Sequence, residues 1–223
     1  MHESLPDDLI AMATRRASGM AVHDTITPAR TALLALNMQN AWLADDAAFD
    51  HAGRARAILP KINRLAGALR DAGGAVFWLC QAVGPDGWPG YFNYFVRPEL
   101  RGATLGALAE GGIGQSLHGD VDRAPQDQVL PKFRFSAFLR NPSDLEAMLR
   151  DRGIDTVIIA GTATNICCES TARDAMMRDF RVFMPHDTVT APDREAHLGG
   201  VRSIMQVFGD VRASADIIDL IRR

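Results

Sequence analysis

Residues 155–175 read DTVIIAGTATNICCESTARDA. The first seven, DTVIIAG, form a short continuous apolar run that predicts a buried strand, and NICCESTARDAMMRDF (165–180) predicts a helix. Only a few residues separate them. The same alternation recurs outward in both directions. TALLAL (31–36) and AVFWLC (75–80) are further buried strands, separated by a helix over 55–74 that stops at two glycines. Val129, Leu130 and Pro131 make a short apolar run. A helix over 141–153 ends at a glycine, and RVFMP (181–185) is a strand. Residues 193–209 predict a helix despite Gly199 and Gly200, and the chain closes with a short strand and a helix. Repeated strand–helix units with unbroken apolar strands predict an α/β fold, a mostly parallel sheet covered by helices on both faces. Residues 82–127 are rich in Gly and Pro and read as a long irregular insertion holding Trp88, Tyr91, Phe92, Tyr94 and Phe95. Such insertions are more often functional than idle.

Residues 1–28 read as an N-terminal extension to a single domain over 29–223. Leu9, Ile10, Met12 and Ala13 suit one face of a short helix after Pro6, packed on the body or on a partner. The 223-residue chain is 47% hydrophobic and 23% charged with a formal net charge of −3, an ordinary globular composition. No basic run offers itself to phosphates, so nucleic acid is not an expected partner. No stretch of about eighteen apolar residues suggests a membrane span. Without a signal-like N-terminus the expected location is cytoplasmic. Three cysteines, two of them adjacent, fit reduced thiols better than a disulfide framework.

In parallel α/β sheets the site lies beyond the carboxyl ends of the strands. That rule selects Asn37, the loop after residue 80, and residues 161–168. Cys167 falls in the first turn of the helix after the strand, where free backbone N–H groups favour a thiolate and can receive an oxyanion. Gly161 permits a tight turn, and Thr164 or Asn165 can cap the helix. Cys168 lies about 100° further round and is read as packing. The plainer reading of both cysteines is a pair of small buried residues. Lys132, just after a strand that ends in proline, points toward the same rim; the plainer reading is a solvated surface lysine.

These residues carry a resemblance. TALLALNMQNAWL, LPKFRFSAF, GTATNICCESTARDA and FRVFMPHDTVTA, in this order and at these distances, resemble the isochorismatase-like cysteine hydrolases over nearly all of residues 31–212. The resemblance implies a three-layer, Rossmann-like α/β/α fold and a homodimer or homotetramer. It also implies Cys167 as nucleophile, Lys132 as the lysine of a triad, and a cis peptide joining Thr162 to Ala163. The amides of Ala163 and Cys167 would then receive the substrate oxygen. The family's first-strand motif carries an aspartate where this chain has Asn37, and an amide cannot accept and return a proton near neutral pH. Three readings stay open: an engineered change, a natural change with altered chemistry, or a nearby carboxylate, Asp45 or Asp46, in its place.

The family's nicotinamidases carry a histidine metal cluster after the second strand. This chain has LCQAVGPDGWPGYFNYF there, so no metal and no cofactor is expected. The motifs look most like the ureidoacrylate, biuret and carbamoyl amidohydrolase branch. The expected function is cysteine-dependent cleavage of a C–N bond in a small amide or ureide through a thioester. The alternative is a catalytically impaired small-molecule binding or regulatory protein on the same fold. A thiol redox protein is disfavoured, because Cys167 has no C-x-x-C partner. Gln39, Trp42, Trp88, Phe92 and Phe135 are candidate substrate contacts. Arg97 and Arg134 are candidates to pair with a substrate carboxylate.

Overall fold

The computed structural model describes residues 5–16, 19–45, 48, 49 and 52–223. In chain order the elements are α1 (Asp7–Ala13), β1 (Thr31–Leu36), α2 (Asn40–Leu43), α3 (Ala52–Asp71) and β2 (Ala75–Gln81). Then come α4 (Pro89–Phe95), α5 (Pro98–Ala107), β3 (Gln128–Lys132), α6 (Leu145–Asp151) and β4 (Thr156–Thr162). A wide π turn, Thr164–Cys168, leads into α7 (Glu169–Met176), followed by β5 (Arg181–Phe183), β6 (Val189–Thr190), α8 (Arg194–Ser203) and α9 (Ser214–Ile221). The strand order is β3-β2-β1-β4-β5, with β6 paired to the end of β4, and every ladder is parallel. Among the described residues no helix is long and apolar enough to cross a membrane.

The strands are apolar throughout because both faces are covered. Leu34, Leu36, Phe77, Leu79, Val157 and Ile159 pack with α6 and α7 through Leu149, Ala172 and Ala175. Their neighbours Leu33, Ala35, Trp78, Ile158 and Ala160 face the other way. There they meet Leu59, Ile62, Leu65 and Leu69 of α3 and Ile217 of α9. That alternation produces three layers.

Sequence order reverses between β1 and β4, which makes the cleft at their carboxyl ends the topological switch point. Gly161 pairs with Leu36 in β4 and β1, and a Cβ on Gly161 would lie 2.0 Å from the Leu36 carbonyl oxygen. Glycine is required for this approach, which draws the ends of both strands together. Gly200 plays the corresponding part in α8. A Cβ there would lie 2.9 Å from Asn165 Cα, so the helix rests directly on the π turn. This contact explains Gly200 inside a helix, where glycine otherwise costs stability, whereas a Cβ on Gly199 would meet open space.

The insertion over 82–127 is less irregular than its composition predicts, since it contains α4 and α5. Each starts with proline at its first position. Helix α5 buries no residue, so it leaves no apolar stripe for periodicity to detect. The helix predicted from 165 opens instead as a π turn. There the Cys168 N–H reaches the Ala163 carbonyl at 3.1 Å, and the Ile166 N–H reaches the same oxygen at 3.2 Å.

The N-terminal extension packs on the body. Leu9 and Ala13 are buried in the same apolar cluster as α7, and Arg16 donates to the Met205 carbonyl at 2.8 Å. Further along, Asp210, fully buried, accepts the N–H groups of Val22 and His23 at 2.8 and 2.9 Å. It also pairs with Arg212, whose pKa is raised chiefly by that hydrogen bond. Asp210→Ala orphans two N–H groups and a half-buried guanidinium. It is expected to cost about 2–5 kcal/mol in urea unfolding. A loss below about 0.5 kcal/mol would show that the extension is held by its apolar contacts alone.

Candidate active site

Four strand ends supply the site. At the end of β1, Asn37 is 1% exposed and adopts a left-handed conformation, φ 62°, which asparagine tolerates better than other non-glycine residues. Its Nδ2 donates to the Thr162 carbonyl and to Cys167 Sγ, the latter at 3.4 Å. Its Oδ1 is buried without a partner.

At the end of β2 stands Gln81, opposite Lys132 in the β2–β3 register. Lys132 is fully buried. Its Nζ donates to Gln81 Oε1, to the Arg134 carbonyl at 3.2 Å and to Cys167 Sγ at 3.4 Å. Gln81 carries no chemistry-bearing signature in sequence, and only its place at the strand's carboxyl end could have singled it out.

After β4 the Thr162–Ala163 peptide is cis. Cys167 follows in the π turn, 5% exposed. Sγ therefore receives two N–H donors, one cationic and one neutral. Thr162 Oγ1 donates to the Thr190 carbonyl at 3.3 Å, and Thr164 Oγ1 meets His197 Nδ1 at 3.0 Å, which ties the turn to β6 and α8. Cys168 lies in the apolar core, its thiol pushed well up by burial and then by Cys167. Burial raises Cys80 to about 12.

Cys167, Asn37 and Ala163 open into a cavity of about 520 Å³. Trp42, Trp88 and Phe135 line it, joined by Phe49, Tyr91, Phe95 and Ile166. Trp42 stacks on Phe49 at 4.6 Å, and Phe135 meets Trp88 and Tyr91 edge-on at 4.7 and 5.2 Å. The pKa of Tyr91 is raised by burial and by Cys167, so its phenol stays protonated at neutral pH. Trp88 holds φ 44°, uncommon for a bulky side chain, directly after the left-handed Gly87.

Other candidates stand elsewhere. Phe92, 4% exposed, lies beneath Tyr91 rather than on the cavity wall. Both ends of the Gln39 amide are used by main chain: Nε2 donates to the Gln81 and Gly114 carbonyls, and Oε1 accepts the Gln81 N–H at 2.6 Å. Gln39 thus braces the strand end that holds Lys132 and does not face the cavity. Arg97 is exposed at the start of α5. Arg134 is paired with Asp86, stacks 4.9 Å from the Trp88 ring, and opens into a neighbouring cavity. Its hydrogen bond holds the Asp86 carboxyl below the usual range. Asp45 is turned to solvent, 94% exposed, against Arg56 at 2.6 Å. Asp46 lies outside the described residues. Among the described residues no cluster of three or more His, Cys, Asp or Glu side chains could hold a metal ion.

Comparison with known proteins places the chain in a family. A ureidoacrylate amidohydrolase (RutB) of Enterobacter sp. (strain 638) is 33% identical over 220 residues, 88% of this chain and 91% of that protein. The RutB of Methylorubrum extorquens AM1 is 34% identical over 194 residues, 80% of this chain and 77% of that one. A cysteine hydrolase from Pseudomonas syringae pv. phaseolicola 1448A superposes with a TM-score of 0.80 at 27% identity, over 91% of this chain and 97% of that one. N-carbamoylsarcosine amidase from Thermoplasma acidophilum shares the fold, with a TM-score of 0.67 at 24% identity over 83% and 96% of the two chains. The family model for the isochorismatase domain matches residues 31–216. The chain belongs to the isochorismatase family.

Proposed function

We propose that this protein is a cysteine-dependent amidohydrolase that cleaves a C–N bond of a small amide or ureide through a thioester on Cys167. One observation carries the reading. The sulfur at the base of an aromatic-walled cavity receives Lys132 Nζ and Asn37 Nδ2, each at 3.4 Å. The named activity of the RutB relatives supports the ureide class.

In this mechanism the Cys167 thiolate attacks the carbonyl carbon, and the charge moves to oxygen beside the Ala163 and Cys167 amides. The departing nitrogen needs a proton. Asn37 cannot supply one, and of the two groups bonded to sulfur only Lys132 can. Lys132 protonates the leaving amine, the C–N bond of the tetrahedral adduct breaks, and ammonia departs to leave the thioester. Neutral Lys132 then takes a proton from water, whose hydroxide attacks the thioester and expels the thiolate. The products are ammonia and the acid, and Lys132 regains its charge.

The test is ammonia release from a panel of small amides and ureides by the chain as it stands and by Asn37→Asp. The native chain is expected to turn over at least one of them. If only Asn37→Asp does, position 37 has disabled the site and the binding or regulatory reading takes over. If neither does and Cys167 resists alkylation, the hydrolase reading fails.

A further inference from the structure

Among the described residues two buried side-chain oxygens lack a partner, Asn37 Oδ1 and Asp127 Oδ1. The carboxyl of Asp127 is otherwise committed to structure: Oδ2 accepts the Trp78 indole N–H and the Ala124 N–H, both at 2.9 Å. Asn37 differs, because it lines the cavity beside Cys167. Native proteins rarely leave a buried acceptor unpaired, and an orphan at a cavity wall marks a place where a ligand donor fits. The orientation of the amide follows from its surroundings. The Thr162 carbonyl can only accept, so Nδ2 must face it and Oδ1 must face away.

We infer that Asn37 Oδ1 is the acceptor for an N–H of the scissile group, which makes Asn37 the residue that selects –CO–NH2 termini over esters of the same shape. The inference rests on the amidohydrolase reading and deepens it. A primary amide or terminal ureide brings an N–H next to the carbonyl carbon that the sulfur attacks. An ester of the same acyl group brings an oxygen there, which cannot donate. Sites built to bond a substrate N–H reject analogues lacking it, because the site's own buried polar atom is then left unpaired. Asn37 so acts at both ends: Nδ2 donates to the sulfur and Oδ1 holds the group that leaves.

The experiment compares kcat/KM for a primary amide and for the methyl ester of the same acid, in the native chain, Asn37→Ala and Asn37→Gly. Loss of the Nδ2–sulfur contact slows both substrates alike and cancels in the ratio. The amide-to-ester ratio is expected to fall on the order of tenfold to a hundredfold in Asn37→Ala. Asn37→Gly, which also removes the acceptor and suits the left-handed backbone at φ 62°, is expected to show the same fall and covers the case in which Asn37→Ala does not fold. A ratio unchanged within about twofold in both variants overturns the inference while leaving the amidohydrolase reading intact, whereas a native chain that cleaves the ester but no amide overturns both. If no variant cleaves either substrate, the hydrolase reading itself has failed and the inference falls with it.

Discussion

Cys167→Ala is expected to lower ammonia release by at least about a thousandfold, because the bond-forming atom of the proposed mechanism is gone and, among the described residues, no other thiol lines the cavity. The same variant is expected to lose the protein's reactivity with iodoacetamide near neutral pH. The remaining cysteines do not compete: Cys80, pushed up to about 12 by burial, and Cys168, raised well above its usual range by burial, both stay as thiols in the core. Mass spectrometry of the native chain should therefore find one label, at Cys167. The alanine also leaves the Lys132 ammonium with only Gln81 Oε1 and the Arg134 carbonyl as acceptors. A buried ammonium that loses an acceptor is costly, so Cys167→Ala is expected to unfold at lower urea, by about 1–3 kcal/mol. Cys167→Ser restores an acceptor and should recover part of that stability but little activity. Persistent ammonia release, or a label carried by Cys80 or Cys168, would remove Cys167 from the mechanism.

How far the site was legible in sequence depends on what kind of signal each residue leaves. Strands β1 and β4 are unbroken apolar runs because both faces are buried, and that property is written in composition alone. Their ends locate Asn37 and the Cys167 turn without any motif. Lys132 follows from the same rule, yet the rule could not say that it would be buried; that depends on Gln81 and the Arg134 carbonyl, residues whose own patterns mark nothing. The cavity wall was half legible. Trp88 and Phe135 are placed on it, but Phe92 turns inward beneath Tyr91, a choice of helix face that seven residues of α4 are too short to reveal. Arg97 and Arg134 look alike in sequence and differ in the structure, since only Arg134 meets a carboxylate and an aromatic face. The N-terminal extension was ambiguous because its docking uses long-range contacts, such as the buried Asp210 188 residues away from Val22, that local pattern does not carry.

Lys132→Met makes the second large prediction, and it separates chemistry from stability. Nζ donates to the sulfur and is the proton carrier of the proposed mechanism, so methionine at this position is expected to reduce turnover by about a hundredfold to ten-thousandfold, a general acid–base effect combined with loss of charge beside the sulfur. Alkylation of Cys167 near neutral pH should slow in parallel, because the thiolate loses its cationic neighbour. Stability should respond in the opposite sense to intuition about lost hydrogen bonds. Holding an ammonium in a fully buried position costs several kcal/mol of hydration, and methionine of similar length removes that cost. Against it stand two unpaired acceptors, Gln81 Oε1 and the Arg134 carbonyl, at about 1–3 kcal/mol each. The two sides are of similar size, so the urea midpoint is expected to move by less than about 2 kcal/mol equivalent while activity collapses. Turnover within tenfold of the native chain would show that the proton travels by another route. Tyr91, kept protonated by burial and by Cys167 and lining the same cavity, is then the group to replace with phenylalanine.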